Sequence, residues 1–229
     1  MLELAAGTGV VTRHLAAALS AAVTIVATDL NQPMLDRAAR IGTPRPVQWR
    51  QADAMQLPFG DATFDAVVCQ FGVMFFPDKP HAFAEARRVL RPGGMFLFNV
   101  WDRIEENDFA VAVTDALAQM FPDNPTRFLA RVPHGYHDRA AISRDLERGG
   151  FETRPEIFTV TARSRAASPR LPATAFCQGT PLRNEIEARG AERLAEATNV
   201  VENALAQRFG NGAVDGKIQA LVVTVQKSR

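Results

Sequence analysis

Apolar and polar positions follow two rhythms along this chain. Short runs that are continuously apolar or alternating read as strands: Met1-Leu2-Glu3-Leu4, Val23-Thr24-Ile25-Val26-Ala27-Thr28, Val47-Gln48-Trp49-Arg50, Phe64-Asp65-Ala66-Val67-Val68-Cys69 and the stretch 95–101. Between them apolar residues recur at helical spacing over residues 10–20 and 32–41. A further segment opens at Pro77-Asp78-Lys79-Pro80, with Phe83, Ala86 and Leu90 on one face. Local punctuation agrees with these boundaries. Asn31 before Gln32-Pro33 is an N-cap with proline early in the helix, and Gly42-Thr43-Pro44 ends that helix. Pro92-Gly93-Gly94 stops the later helix and turns the chain into the strand at 95–101.

After Trp101 the pattern predicts a helix over 108–120 stopped by Phe121-Pro122-Asp123-Asn124-Pro125, then a helix over 138–148 closed by Gly149-Gly150. A strand follows at 151–162, and 163–171, rich in Arg, Ser and Pro, reads as a linker. Short helices are expected at 173–179 and 182–188. Leu194, Ala197, Val201 and Leu205 mark an amphipathic helix that Gly210-Asn211-Gly212 ends, and 218–225 is a final β-branched strand. Strands alternating with helices predict an α/β fold. The expected form is a Rossmann-like doubly wound sheet, mostly parallel with an antiparallel last strand, and with a helical insertion between the last two strands.

Composition narrows this picture. At 229 residues and 47% apolar content the chain can bury one sizeable core, so 1–229 is expected to be a single domain. Within it, 1–101 reads as the ligand-binding half, 102–163 as the acceptor-side half, 164–215 as a helical insertion or lid, and 216–229 as the last strand. A formal net charge of +1, with no basic stripe of interleaved aromatics, argues against nucleic acid as a partner. Cys69 and Cys177 have no metal-ligand spacing, so neither a metal site nor a disulfide framework is expected. No apolar run approaches a membrane span, and the expected location is the cytoplasm. A homodimer is compatible with this composition. The first strand begins at Met1, which fits a naturally short chain or one whose start is missing.

The candidate chemistry sits in the first thirty residues. Ala5-Ala6-Gly7-Thr8-Gly9 joins a strand to a helix, and about twenty residues on, Asp29 ends the second strand, the spacing of an acid that holds a ribose. Glycines at 7 and 9 let a ligand approach backbone N–H groups at a helix N-terminus. A dinucleotide fingerprint needs a third glycine, and Thr12 stands there instead. Glu3 beside the turn suits a cationic amino-acid end better than a phosphate. The inferred ligand is S-adenosylmethionine, which has a ribose, an adenine and a sulfonium but no phosphate. Asp53, at the end of the third strand, is the candidate for the adenine amino group, with a turn or cap as the competing structural role.

Glu3-Leu4-Ala5-Ala6-Gly7-Thr8-Gly9, Asp29, Gln51-Ala52-Asp53-Ala54, Leu57-Pro58-Phe59, Phe64-Asp65 and Arg88-Val89-Leu90-Arg91-Pro92-Gly93-Gly94 occur in order and at matching spacing. Together they resemble a class I S-adenosylmethionine-dependent methyltransferase of the type 11 group, which includes the ubiquinone and menaquinone biosynthesis methyltransferases. The resemblance covers residues 1–101 and beyond them only the architecture. It implies that Gly7 and Gly9 line the methionine and ribose portion, that Asp29 holds the ribose hydroxyls, and that Asp53 with Ala54 meets the adenine. It also implies that Gln70 approaches the methionyl amino group through its backbone carbonyl. Glu3, Ala5, Leu30 and Met34 complete the expected cofactor-binding set. Ala5 replaces the first glycine of the usual motif, and the helices that normally precede the first strand are absent from this sequence.

The expected activity is methyl transfer to a small organic acceptor. Phe71, Phe75 and Trp101 are placed to face a sulfonium or a flat acceptor, with plain core packing as the alternative. An oxygen acceptor needs deprotonation, for which His81, His134, Tyr136 and His137 are the candidates. Two other readings stay open: a cofactor-binding module that is inactive or truncated and needs a partner chain, and a nicotinamide-dependent oxidoreductase, against which Thr12 and Glu3 argue.

Overall fold

The computed structural model describes residues 1–190 and 192–229. The chain begins with β1 (Leu2–Leu4), α1 (Val10–Ala18), β2 (Val26–Asp29), α2 (Gln32–Ile41), β3 (Gln48–Gln51) and β4 (Phe64–Gln70). Then come α3 (Lys79–Val89), β5 (Leu90–Trp101), α4 (Asp108–Met120), α5 (Phe128–Arg131), α6 (Arg139–Arg148) and β6 (Glu156–Ala166). It closes with α7 (Arg170–Gly179), α8 (Leu182–Glu187), α9 (Arg193–Phe209) and β7 (Val214–Gln226).

The strands form one seven-stranded sheet in the order β3-β2-β1-β4-β5-β7-β6. β1 to β5 pair in parallel. β7 runs antiparallel to β5, since Gly93 N–H donates to Lys227 O (2.9 Å) and Asp102 N–H to Gln219 O (3.0 Å). This is the expected mixed, doubly wound α/β sheet. From β1 the chain moves out to β2 and β3 on one side, then returns to β4 on the other. The order therefore reverses between β1 and β4, and ligands of open α/β sheets bind outside the carboxyl ends of the strands at that point.

The chain divides into two compact units. The first comprises Met1–Val100, Asp138–Phe158 and Leu221–Arg229. Much of its core lies on one sheet face, where period-2 alternation buries Val67, Cys69, Phe96, Phe98 and Val100 completely. Phe83 of α3 stacks on Phe98 at 5.4 Å between ring centroids, and Phe151 stacks on Phe96 at 6.0 Å. Gly149, at the end of α6, lets that helix approach α3 closely, because a Cβ there would stand 2.6 Å from the Phe83 Cβ. The second unit, Trp101–His137 and Thr159–Ala220, is built on α4 and the α7–α9 insertion. Val113, Leu117, Cys177, Ile186, Val201 and Leu205 form its apolar core. The predicted stripe on α9 is realised, with Ala197, Val201 and Leu205 fully buried.

Three boundaries differ from the sequence expectation. Leu90 is not on the helical face of α3: the helix ends at Val89, and Leu90 is extended (φ −74°, ψ 140°) and opens β5. Pro92 disfavours helical backbone at Arg91, so Arg91-Pro92-Gly93-Gly94 becomes an irregularity inside the strand. There the pairing with β4 jumps from Phe64↔Leu90 to Ala66↔Met95. The strand expected at 151–162 instead spans Glu156–Ala166. Phe151 N–H still bonds Leu146 O at 3.0 Å, so the end of α6 holds the start of that segment. The predicted linker is mostly absent, since Arg163 and Arg165 are strand residues whose guanidiniums pair with Asp215 of β7 at 2.7 and 3.1 Å. Cross-strand ion pairing gives these polar residues a place in a ladder that their composition does not advertise.

Both cysteines are free and buried, and burial pushes the Cys69 thiol up to about 12 and that of Cys177 up to about 11. No group of metal-ligating side chains occurs among the described residues. No helix among them is long and apolar enough to cross a membrane.

Candidate functional site

The site candidates of the first unit gather at the carboxyl ends of β1 to β4. β1 pairs with β2 through Glu3↔Ala27 and with β4 through Leu4↔Cys69, while Asp29 of β2 lies opposite Gln51 of β3. Beyond Leu4 the chain turns through three left-handed residues, Ala5 (φ 52°), Gly7 (φ 56°) and Gly9 (φ 77°). The turn is closed by Gly9 N–H to Ala6 O (2.9 Å) and by the Arg13 guanidinium, which donates to Thr8 O (2.9 Å).

The two glycines do different jobs. A Cβ on Gly9 would stand 2.9 Å from the Trp49 ring and 3.0 Å from the Ala38 Cβ, so this glycine permits α1 to start against β3 and α2. A Cβ on Gly7 would meet nothing within 4 Å. Gly7 is therefore the one on the open side, and it supplies the left-handed backbone that the turn needs. Its N–H donates to Asp29 Oδ2 at 2.8 Å, and Asn31 N–H donates to Asp29 Oδ1 at 2.8 Å. Each carboxylate oxygen can accept a second hydrogen bond, which leaves half-buried Asp29 able to take both hydroxyls of a cis-diol while it holds the loop.

Glu3 is only 2% exposed. Its Oε2 and the Thr12 Oγ1 are buried without a hydrogen-bond partner. Burial pushes the carboxyl up to about 7. Thr12, standing where a dinucleotide fingerprint has glycine, is fully buried under the loop. A buried carboxyl lacking a partner is costly, and a cation beside it removes that cost. This buried acid with an unsatisfied oxygen, the open space at Gly7 and the diol-competent Asp29 fit a ligand with a ribose and a cationic amino-acid end, and they offer no counter-charge to a phosphate.

Asp53 is exposed, and its Oδ1 accepts from Met55 N–H at 2.8 Å, which is the turn role weighed from sequence. Ala54, half-buried, follows it. Gln51 Nε2 donates to Leu30 O (2.8 Å) and Ala52 N–H to Asp29 O (3.1 Å), tying the ends of β2 and β3 together. Leu30 and Met34 are 66% and 42% exposed. Gln70 ends β4 exposed, followed by Phe71 in a left-handed conformation (φ 51°). The Phe71 N–H is held by Asn99 of β5, through its Oδ1 (3.0 Å) and its backbone O (3.2 Å). Asn99 was not among the sequence candidates, although an amide inside the apolar run Phe96-Leu97-Phe98-Asn99-Val100 was a visible signal.

The four candidate bases are not all brought together. His81 is exposed in the first turn of α3, where its backbone N–H is capped by Asp78 Oδ1 at 3.0 Å. His134, Tyr136 and His137 belong to the second unit. His134 is 5% exposed, its Nδ1 lies 2.8 Å from Asp102 O, and burial holds its pKa below the usual imidazole value. His137 Nδ1 lies 2.8 Å from His134 O. Trp101 is half-buried with its ring 6.1 Å from that of His134, whereas Phe71 and Phe75 belong to the first unit and Phe75 is 48% exposed.

Comparison with known proteins agrees with this geometry. Residues 2–98 match the family model described as a methyltransferase domain. The ubiquinone/menaquinone biosynthesis C-methyltransferase UbiE of Cupriavidus taiwanensis is 32% identical over 174 residues, which are 71% of this chain and 70% of that protein. The YcgJ protein of Bacillus subtilis superposes with a TM-score of 0.61 at 17% identity, covering 100% of this chain and 91% of that one. Phosphoethanolamine N-methyltransferase 2 of Haemonchus contortus, solved with phosphomonomethylethanolamine and S-adenosylhomocysteine, has a TM-score of 0.60 at 16% identity over 100% of this chain and 49% of its own. The structural likenesses speak for the fold, and the sequence likeness for the lineage. The glycine turn, the acid at the end of β2, the sheet order and this relationship lead to one conclusion: the chain belongs to the class I S-adenosylmethionine-dependent methyltransferases.

Proposed function

We propose that this methyltransferase acts on a small organic acceptor, an aromatic precursor of the ubiquinone or menaquinone type methylated at carbon. The observation that carries the acceptor class is the likeness to the UbiE C-methyltransferases across 71% of the chain. In the reading we propose, Asp29 binds the ribose hydroxyls, Asp53 and Ala54 meet the adenine between Leu30 and Met34, and Glu3 with the Gln70 carbonyl receives the ammonium end. Gly7, Gly9 and Ala5 form the turn beneath the methionine and ribose portion.

S-adenosylmethionine supplies a methyl group already activated on a sulfonium. The chain's contribution is to position. Holding the acceptor carbon about 3 Å behind the methyl, in line with the breaking bond, gives much of the acceleration available to such a displacement. A buried acid whose charge appears when a cation enters orients the amino-acid end. A backbone carbonyl only accepts hydrogen bonds, so the neutral His134 ring carries its proton on Nδ1, facing Asp102 O.

The test is an acceptor panel with mass-spectrometric readout of transferred methyl: a reduced demethylated naphthoquinone, a catechol, a primary amine and phosphoethanolamine. Ring-carbon methylation of the quinol supports the reading. Transfer to nitrogen alone sinks it.

A further inference from the structure

We propose that Asn99 is a positioning residue for the amino-acid end of the cofactor, acting through the Gln70-Phe71 turn. This rests on the reading that S-adenosylmethionine occupies the carboxyl ends of β1, β2 and β4. The sheet order places β1 between β2 and β4. A ligand whose ribose is held by Asp29 on β2, and whose ammonium meets Glu3 on β1, has its amino-acid end directed toward the adjoining end of β4. There stand Gln70 and Phe71.

That turn is forced into shape. Phe71 is left-handed at φ 51°, a conformation that a bulky side chain rarely adopts unless its surroundings impose it. Two features impose it. Asn99, opposite Gln70 in the β4–β5 register, takes the Phe71 N–H on both its Oδ1 and its backbone O. Gly72, buried behind it, sits where a Cβ would stand 2.5 Å from the Ala5 Cβ and 2.7 Å from the Cys69 Sγ. The turn after β4 is thus pressed onto the turn after β1, where Ala5 is itself left-handed. The backbone reversal at Phe71 sets the direction of the Gln70 carbonyl. Asn99 holds the reversal from the other side, through its Oδ1.

The test compares two ligands on wild type, Asn99→Ala and Asn99→Asp by calorimetry. S-adenosylhomocysteine has the amino-acid end, whereas 5′-methylthioadenosine has the same adenine and ribose but lacks it. The expected result is that Asn99→Ala weakens S-adenosylhomocysteine by about tenfold, the scale of one hydrogen bond, and leaves methylthioadenosine unchanged. Asn99→Asp, whose carboxylate still accepts from Phe71 N–H, retains the wild-type affinity. Should Asn99→Ala fail to fold, Asn99→Ser, too short to reach Phe71, serves for the same comparison. Equal weakening of both ligands indicates general loosening of the sheet end and overturns the proposal, as does no weakening of either. A wild type that binds neither ligand defeats the underlying cofactor reading, and the role of Asn99 with it.

Discussion

Replacing Glu3 by Gln separates what this carboxyl costs the fold from what it gives the ligand. Its folded-state value is about 7 against an ordinary 4.5. Below about pH 4.5 both folded and unfolded chains hold the proton, and the contribution of Glu3 to stability is fully present. Between pH 4.5 and 7 the folded chain keeps a proton that the unfolded chain has released, so stability falls as pH rises, by about 1.4 kcal/mol per pH unit. Above pH 7 the loss levels off at roughly 3 kcal/mol. Glu3 is only 2% exposed, so solvent screening removes little of this. No cation contributes to this value.

Gln is neutral throughout, so Glu3→Gln should gain roughly 3 kcal/mol on wild type between pH 4.5 and 8, whatever fixed penalty its amide carries. Urea unfolding of both proteins across that range measures the difference, in which other titrating groups cancel. The same variant should bind S-adenosylhomocysteine more weakly at pH 8. Wild type should release protons on binding near pH 6.5, seen as a binding enthalpy that depends on the buffer. Parallel stability curves for the two proteins would refute the buried-acid argument.

Three further outcomes follow from the geometry. Asp29→Ala should weaken S-adenosylhomocysteine binding by about 1.5–3 kcal/mol, the range for a hydrogen bond to a charged group, and unchanged calorimetric affinity would remove Asp29 from the site. Gly72→Ala should cost about 1–3 kcal/mol through overpacking against Ala5 and Cys69. In an Ala5→Gly background thermal unfolding should show a smaller cost, and an undiminished one would mean that the two turns do not press on each other. Arg88 donates to Glu85, Asp61 and the carbonyls of Leu57 and Phe59; Arg88→Ala should cost about 2 kcal/mol and speed proteolysis within 57–63, and an unaltered cleavage rate would count against its role as the tie for that loop.

Much of this was legible in the chain because local chemistry and global fold agree. Asn31-Gln32-Pro33 and Asp78-Lys79-Pro80 start helices where they predict, and Asp78 does cap through its side chain. Thr12, in place of a third glycine, and Glu3 beside the turn argued against a dinucleotide from the sequence alone. What stayed hidden depends on distant partners. Arg163 and Arg165 read as linker because Asp215, about fifty residues away, makes them strand residues. Gly9 read as a ligand-facing glycine, whereas its missing Cβ is required by Trp49 and Ala38. No composition rule announces that Ala5 and Phe71 are left-handed, since for residues with a Cβ that conformation is imposed by tertiary packing. The part played by Asn99 followed the same logic.

The most direct measurement is isothermal titration of the purified chain with S-adenosylmethionine, S-adenosylhomocysteine and NAD in parallel. Micromolar binding of the first two, about −8 kcal/mol, with no heat from NAD is the predicted result. Binding of NAD at comparable strength, or no binding of either S-adenosyl ligand, would contradict the assignment of the β1–β4 crevice to a sulfonium cofactor.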